Sequence, residues 1–467
     1  MSFLQILGML VSVAGIVIVS VYSGTKKSTG ENTNGVGITA GIIMGTLVGG
    51  SSTIGTAQLA YNFGMSAWWF TLGGGLACLV QTILFCHPLR ESHQPTLIGI
   101  IRKEYGNTAG MSASVLNAIG TFINIISQLL AASAVVQVVW PLLGTPAAVV
   151  ISAVFMVLYV VFGGTKGAGM VGILKLVLLY ASMIICGLTA VRLFGGLPNI
   201  FESMRQYQEE TGVNYFSLFA RGAGKDIGAF LSLILGVLTT QTYAQAYITA
   251  KSDKAARLGG LISTLMIPPI GILGIIVGLY MRSITDPSVF AAKTALTEFV
   301  LQNMPGLTGG IALGTLFIAS VGTGAGLSLG ISSILVNDII KKINPRLKEA
   351  YQDGVLSKVL IVVVLGGATL LSLGKLGDTI LNFAFMSMGL RGSVVFLPLC
   401  FAIWAKGRIP GKYAVASIII SPVLVLIFGT ILSGFLPFDS LFAGIIASAI
   451  IMGIGLFSGS SSSKMQK

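Results

Sequence analysis

The stretch GGSSTIGTAQLAYNFG, Gly49 to Gly64, decides how this chain is read. Apolar sequence flanks it on both sides, GITAGIIMGTLV before and MSAWWFTLGGGLACLV after. A helix built only to cross lipid has no use for two glycines and a run of hydroxyl residues at its middle. Glycine there permits either close helix packing or local unwinding. Unwinding would free backbone carbonyls for a cation and turn a half-helix N-terminus toward an anion.

The rest of the chain sets the context. Its 467 residues are 54% hydrophobic and 9% charged, with a mean hydropathy of +0.91. Soluble domains carry about 25% charged residues, so the expected fold is an all-α polytopic membrane protein. Apolar runs long enough to cross a bilayer recur throughout. They place about 13 spans, near 3–22, 37–61, 66–86, 109–135, 144–162, 170–194, 227–248, 259–281, 307–336, 357–374, 379–404, 411–432 and 440–457. No soluble domain fits between them, so residues 1–467 read as a single membrane domain.

A net charge of +13 does not imply nucleic acid here, because the basic residues cluster in short segments between apolar runs. That is a topology signal. With the N-terminus outside, 19 of the 28 Lys and Arg residues fall in cytoplasmic segments and 7 outside. The cytoplasmic set includes Lys26, Lys27, Arg90, Arg102, Lys103, Lys166, Lys341, Lys342 and Lys467, so the C-terminus is expected in the cytoplasm and the protein in the cytoplasmic (inner) membrane. Cys78, Cys86, Cys186 and Cys400 lie in or beside apolar runs and read as packing thiols. His87 and His93 bracket a loop without metal-ligand spacing. Tyr61, Trp68 and Trp69 read as an outer aromatic belt.

Two cations, Lys175 and Arg391, remain mid-span, and no Asp or Glu accompanies them there. Each costs roughly 2.5–3.5 kcal/mol even on the lenient insertion scale, so something must compensate. A second polar interruption, GVLTTQTYAQAYITAK from Gly236 to Lys251, lies five spans after the first. Paired interruptions in two five-span halves point to an inverted repeat with broken first and sixth core helices. A third segment, ASVGTGAGLSLGISSILVND, contains Gly322, Gly324 and Gly326, but lacks the strand–turn–helix context of a dinucleotide loop. Small residues lying against another helix or an ion fit it better.

Several blocks resemble the sodium:solute symporter family, which includes sugar, proline, pantothenate and sialic acid carriers. The opening stretch resembles its first core helix, VFGGTKGAGMVGILKLVLL its GG-turn, and QAYITAKSDKAARLGG its cytoplasmic AK-containing turn. The longest match runs from Leu301 to Pro345, with a Pro-Gly start, a small-residue centre, Ser-Ser and Asp in order. The resemblance implies a leucine-transporter-type fold: an extra helix in 1–25, repeats over 37–194 and 227–404, and two further helices over 411–457. It also implies sodium between the first and eighth core helices, held by carbonyls of Gly50, Thr53 and Ala319 and by side chains at positions 322 and 323. Position 323 is Thr323, but position 322 is Gly322 where the family usually has Ser. Where many members carry Asp after the GG-turn, this chain has Gly172, with Lys175 one turn on along the same face.

Lys175 therefore has two readings: a cation acting in coupling, with proton-coupled or uncoupled transport, or a side chain snorkelling to the interface. Arg391, in FAFMSMGLRGSVVFLP, either grips a carboxylate bidentately or braces nearby carbonyls. Thr56, Gln58, Asn124, Gln128, Thr240 and Gln241 are the other candidates to face a solute. The expected function is cation:solute symport by alternating access, with sodium as the family's ion and no organic cofactor. The solute would be a small organic anion or zwitterion, the protein a monomer in the bilayer, without nucleic acid. A membrane sensor is the remote alternative, and no nucleophile–base set or metal cluster recommends an enzyme.

Overall fold

Each apolar run becomes a helix, since only helices and closed barrels satisfy a backbone in lipid. The computed structural model describes residues 1–25, 34–163, 168–340, 355–374, 379–432, 435 and 438–464, and among them there is no β-strand. Lys26, Lys27, Lys166, Lys341, Lys342, Arg346, Lys348, Lys375 and Lys467 lie outside these residues.

The N-terminal helix α1 is Phe3–Thr25. The first five-helix set begins with a broken helix, α2 (Val36–Leu47) and α3 (Thr56–Phe63), joined through a π-type turn at Ser51–Gly55. It continues through α4 (Trp69–Val80), which runs by a second π-type turn into α5 (Cys86–Glu91), then a short α6 (Leu97–Tyr105), α7 (Asn107–Val139), α8 (Thr145–Gly163) and α9 (Ala168–Leu193). After α10 (Leu197–Thr211), the second set begins with α11 (Ala223–Leu238) and α12 (Gln241–Ile248), bent by 47° at their junction. It continues with α13 (Asp253–Ile284), a short α14 (Ala295–Asn303), α15 (Gly306–Ile334), α16 (Val355–Ser372) and α17 (Ile380–Trp404). The last helices are α18 (Gly411–Leu426) and α19 (Ser440–Lys464).

Among the described residues, nine helices are long and apolar enough to cross a membrane, the bent pair makes a tenth span, and three further apolar helices are shorter. This is compatible with the thirteen runs seen in the sequence.

Small residues set the helix spacing. A side chain on Gly310 would run into the Gln5 backbone, and one on Gly314 into Ser12, so α1 lies directly on α15. Gly45 and Gly172 meet in the same way, with an added Cβ on Gly45 only 2.8 Å from Gly172 Cα. That contact brings α2 against α9. Such close approach lets the helices gain van der Waals contact, one of the forces that associate helices in lipid. The cysteines are free: Cys78, Cys86 and Cys186 are buried, and Cys400 is half-buried. The aromatic belt is not formed as expected. Tyr61 is fully buried with its hydroxyl 2.8 Å from Thr285 Oγ1, while Trp68 and Trp69 donate to the carbonyls of Pro268 and Leu218.

Candidate functional site

The first break spans Val48 and Gly49. Val48 is extended (φ −88°, ψ 97°), whereas Gly50 keeps an ordinary helical φ of −61°. The glycines serve contact instead. A Cβ on Gly50 would overlap Ser320 Oγ and Ala131 Cβ, and one on Gly49 would lie 2.7 Å from Thr323 Oγ1. The break is thereby wedged between α7 and α15.

Its polar groups are satisfied mainly by side chains. Gly49 N–H donates to Ser52 Oγ at 2.9 Å and Gly50 N–H to Gln128 Oε1 at 3.1 Å. Gln128 Nε2 donates in turn to Ser51 Oγ at 2.7 Å. Thr53 Oγ1 donates to the Gly49 carbonyl at 2.9 Å, and the Thr53 carbonyl accepts the Thr56 N–H. Across the gap, Thr323 Oγ1 donates to the Ala319 carbonyl at 2.9 Å. Into this cluster comes the Lys175 ammonium, donating to the Gly45 carbonyl at 2.7 Å and to Thr323 Oγ1 at 2.9 Å. Lys175 is buried, with both bonds inside the protein, so it does not snorkel.

The second break places Thr240 extended (φ −88°, ψ 121°) between α11 and α12. Thr240 Oγ1 donates to the Gly236 carbonyl and accepts from Arg391 Nη1 at 2.9 Å. Arg391 is only 1% exposed. Its Nε donates to the Ser387 carbonyl one turn back at 3.3 Å, and Nη2 to the Met388 sulfur at 2.9 Å. A guanidinium carries five N–H donors; two of Arg391's have no partner among the described residues. No carboxylate among the described residues pairs with Arg391 or Lys175.

The structure thus gathers Gly50, Thr53, Ala319, Thr323 and Lys175 at one break, and Thr240 and Arg391 at the other. Gly322 turns elsewhere, its missing Cβ pointing to within 3.5 Å of the Tyr159 ring and hydroxyl. Thr56 is buried with an unpartnered hydroxyl, and Asn124 is buried on α7. Gln58 Oε1 accepts the Ile380 N–H at 3.0 Å, at the start of α17. Gln241 lies at the far end of the break, accepting from the Leu97 N–H at 2.8 Å and donating to Gln245 Oε1 at 2.7 Å and the Pro95 carbonyl at 3.1 Å.

Two further clusters were not read from the sequence. At one end, Asp226 is completely buried; it accepts from Arg221 Nε at 2.7 Å and Ser66 Oγ at 2.6 Å, while the Arg221 guanidinium lies 5.3 Å from the Phe385 ring centroid. An acid in the first turn of α11 five residues after an arginine was the available signal. At the opposite end, Arg90 donates to the carbonyls of Tyr247 and Ala250 at 2.8 and 2.6 Å and to Asp253 at 2.6 Å. Beside it, the Asn34 backbone pairs with Thr249 and Lys251, which ties α2 to the end of α12. His87 also faces Asp253, at 3.2 Å, and is largely exposed.

Two opposed broken helices, each facing a long unbroken helix of the same bundle, define a polytopic membrane protein of leucine-transporter-type fold. The profile of the sodium:solute symporter family matches residues 29–421, and the chain belongs to that family. A sodium-coupled sialic acid symporter, solved in a substrate-bound outward-open state, superposes with a TM-score of 0.77 at 18% identity over 98% of each chain. Mhp1 in an inward-facing conformation gives 0.54 at 14% identity over 93% of this chain and 92% of its own.

Among sequence relatives, the uncharacterized symporter YwcA of Bacillus subtilis is 28% identical over 57% of this chain and 54% of its own length. High-affinity choline transporter 1 of Caenorhabditis elegans is 24% identical over 56% and 48%. A monocarboxylic acid transporter of Corynebacterium glutamicum is 24% identical over 84% and 75%. The chain spans about half the length of the first two.

The family's ion is sodium, a hard cation that needs several oxygen lone pairs. The residues present do not fit it at the first break. Thr323 Oγ1 already accepts from an ammonium, and position 322 supplies no hydroxyl.

Proposed function

We propose that the protein is a secondary active symporter that carries a small organic anion or zwitterion, such as a carboxylate, by alternating access. Arg391 carries this reading. It is a buried guanidinium at a helix break, without a carboxylate among the described residues, and one of its three bonds goes to a thioether. Thioether sulfur is a weak acceptor. A substrate carboxylate would exchange for it and form the stronger charge-assisted pair. The monocarboxylic acid transporter among the relatives supports the same class of solute. Thr240, Thr56 and Asn124 complete the proposed solute contacts, with Gln58, Gln128 and Gln241 holding the surrounding backbone.

The proposed frame is a repeat over 37–194 and another over 227–404, an outside N-terminus and a cytoplasmic C-terminus in the cytoplasmic membrane, acting as a monomer. Ion coupling is proposed from family membership. No step is assigned to sodium at the first break.

The test is uptake into proteoliposomes of radiolabelled monocarboxylates, with choline as the cationic control. Truncating one side of a buried charge pair costs about 2–5 kcal/mol, so Arg391→Gln should lower carboxylate kcat/KM at least ~30-fold. Uptake of choline but not carboxylates, or unchanged carboxylate uptake in Arg391→Gln, overturns the reading.

A further inference from the structure

The cluster at the first break is built around a cation that the chain supplies itself. Breaking a helix releases carbonyls near the end of its first half. Here the Gly49 N–H turns to Ser52 Oγ, so the Gly45 carbonyl loses its partner four residues on. Lys175 Nζ takes that place at 2.7 Å, near the C-terminal end of α2 where the helix dipole favours positive charge. Its other bond reaches Thr323 on α15 at 2.9 Å. One ammonium thus joins the broken helix to the helix that faces it.

The neighbouring residues agree with this arrangement. Gly172, one turn before Lys175, has no room for a carboxylate: an added Cβ would lie 2.7 Å from the Gly41 carbonyl oxygen. The same close crossing of α2 and α9 brings the lysine within reach of the break. Thr323 spends its own proton on the Ala319 carbonyl at 2.9 Å, which leaves its oxygen lone pairs to face Lys175. No carboxylate among the described residues competes for the ammonium. A second cation among these oxygens would meet like charge at contact distance.

We propose that the Lys175 ammonium is the resident cation of the seat between the first helix break and α15, and that sodium does not bind there. The inference refines the cation half of the symport reading. Its consequence is that the break and α15 are held together in the absence of any bound metal ion.

The test needs neither substrate nor transport, so its outcome is independent of the solute assignment. Purified protein in detergent is unfolded thermally in sodium, potassium or choline chloride at equal ionic strength. The wild type should show no sodium-specific shift that depends on Thr323. Lys175→Ala leaves the Gly45 carbonyl and the Thr323 hydroxyl without their shared donor, and its midpoint should fall by the same amount in all three salts. A saturable sodium-specific rise in the wild type that Thr323→Ala removes overturns the proposal. So does a folded Lys175→Ala protein whose midpoint matches that of the wild type. If Lys175→Ala does not fold, the wild type and Thr323→Ala decide alone, and a wild-type rise that survives Thr323→Ala places sodium elsewhere and leaves Lys175 in its seat.

Discussion

The two helix breaks are faced by two different kinds of cation. Lys175 comes from α9, the last helix of the first set of five, and Arg391 from α17, the last of the second. Lys175 bonds outward, to a carbonyl of α2 and a hydroxyl of α15. Arg391 bonds largely back onto its own helix, to the Ser387 carbonyl and Met388 sulfur, and reaches across only to Thr240. The first cation replaces a backbone hydrogen bond that the break removed. The second satisfies nothing that lacks a partner, because Ser387 lies inside a continuous helix and the Thr240 hydroxyl already donates to Gly236. One positive charge completes the fold, while the other is held with donors to spare.

The largest effect should come from overfilling the first helix break. Gly50 touches Ser320 and Ala131 with no space for a side chain. Overpacking of this kind costs roughly 1–3 kcal/mol and sometimes more, so Gly50→Val should strongly lower the unfolding midpoint in detergent. At the second break, Thr239→Ala removes only local bonds to the Leu235 and Gly236 carbonyls and should cost about 1 kcal/mol. Equal losses at the two sites would mean that the breaks are not packed differently.

Most of the architecture was legible because it follows from length and apolarity. A run of spanning length must become a helix in lipid whatever its neighbours do. The breaks were legible as polar interruptions, and the two cations as charges with no water nearby. What could not be read was the pairing of polar groups. Gln58, Gln128 and Gln241 look alike in sequence, yet their amides engage Ile380, Gly50 and Leu97, partners up to 322 positions away. An amide in a membrane core faces either a solute or a frayed backbone, and only the fold distinguishes them. That the first break takes in Val48 as well as Gly49 was hidden for a related reason. Gly49 and Gly50 carry the visible signal of flexibility, but here their smallness is used for contact. Asp226 and Arg221 lie just ahead of the apolar run at 227–248, where the sequence reads as a loop, yet the acid is fully buried against the base.

A second prediction compares the cations directly. Lys175→Met keeps length and removes the donor, leaving the Gly45 carbonyl buried without a partner. An unsatisfied buried group costs about 1–3 kcal/mol. Arg391→Met leaves no such group and removes a desolvated charge. A charged side chain without a counter-ion at membrane depth is costly, so the unfolding midpoint of Arg391→Met should stay near or above that of the wild type. The comparison fails if Arg391→Met is the more destabilised of the two.

The smallest effect should come at the Arg90 end, where the two broken helices meet. Arg90 binds carbonyls at the end of α12, and the Asn34 backbone ties the start of α2 to the same segment. If both breaks act as hinges of one closure, this contact must release whenever that side opens. Arg90 is 17% exposed and its partner Asp253 47%, so water can replace part of what the arginine supplies. Arg90→Ala should then cost only about 1 kcal/mol, close to a fivefold change in an opening equilibrium. Ala250 is buried beneath this contact, so the measurement is the rate at which a thiol reagent labels Ala250→Cys with and without Arg90→Ala. A several-fold faster reaction joins α2 and α12 into one moving unit. An unchanged rate leaves the Asn34 backbone pairing to hold the two half-helices together without the arginine.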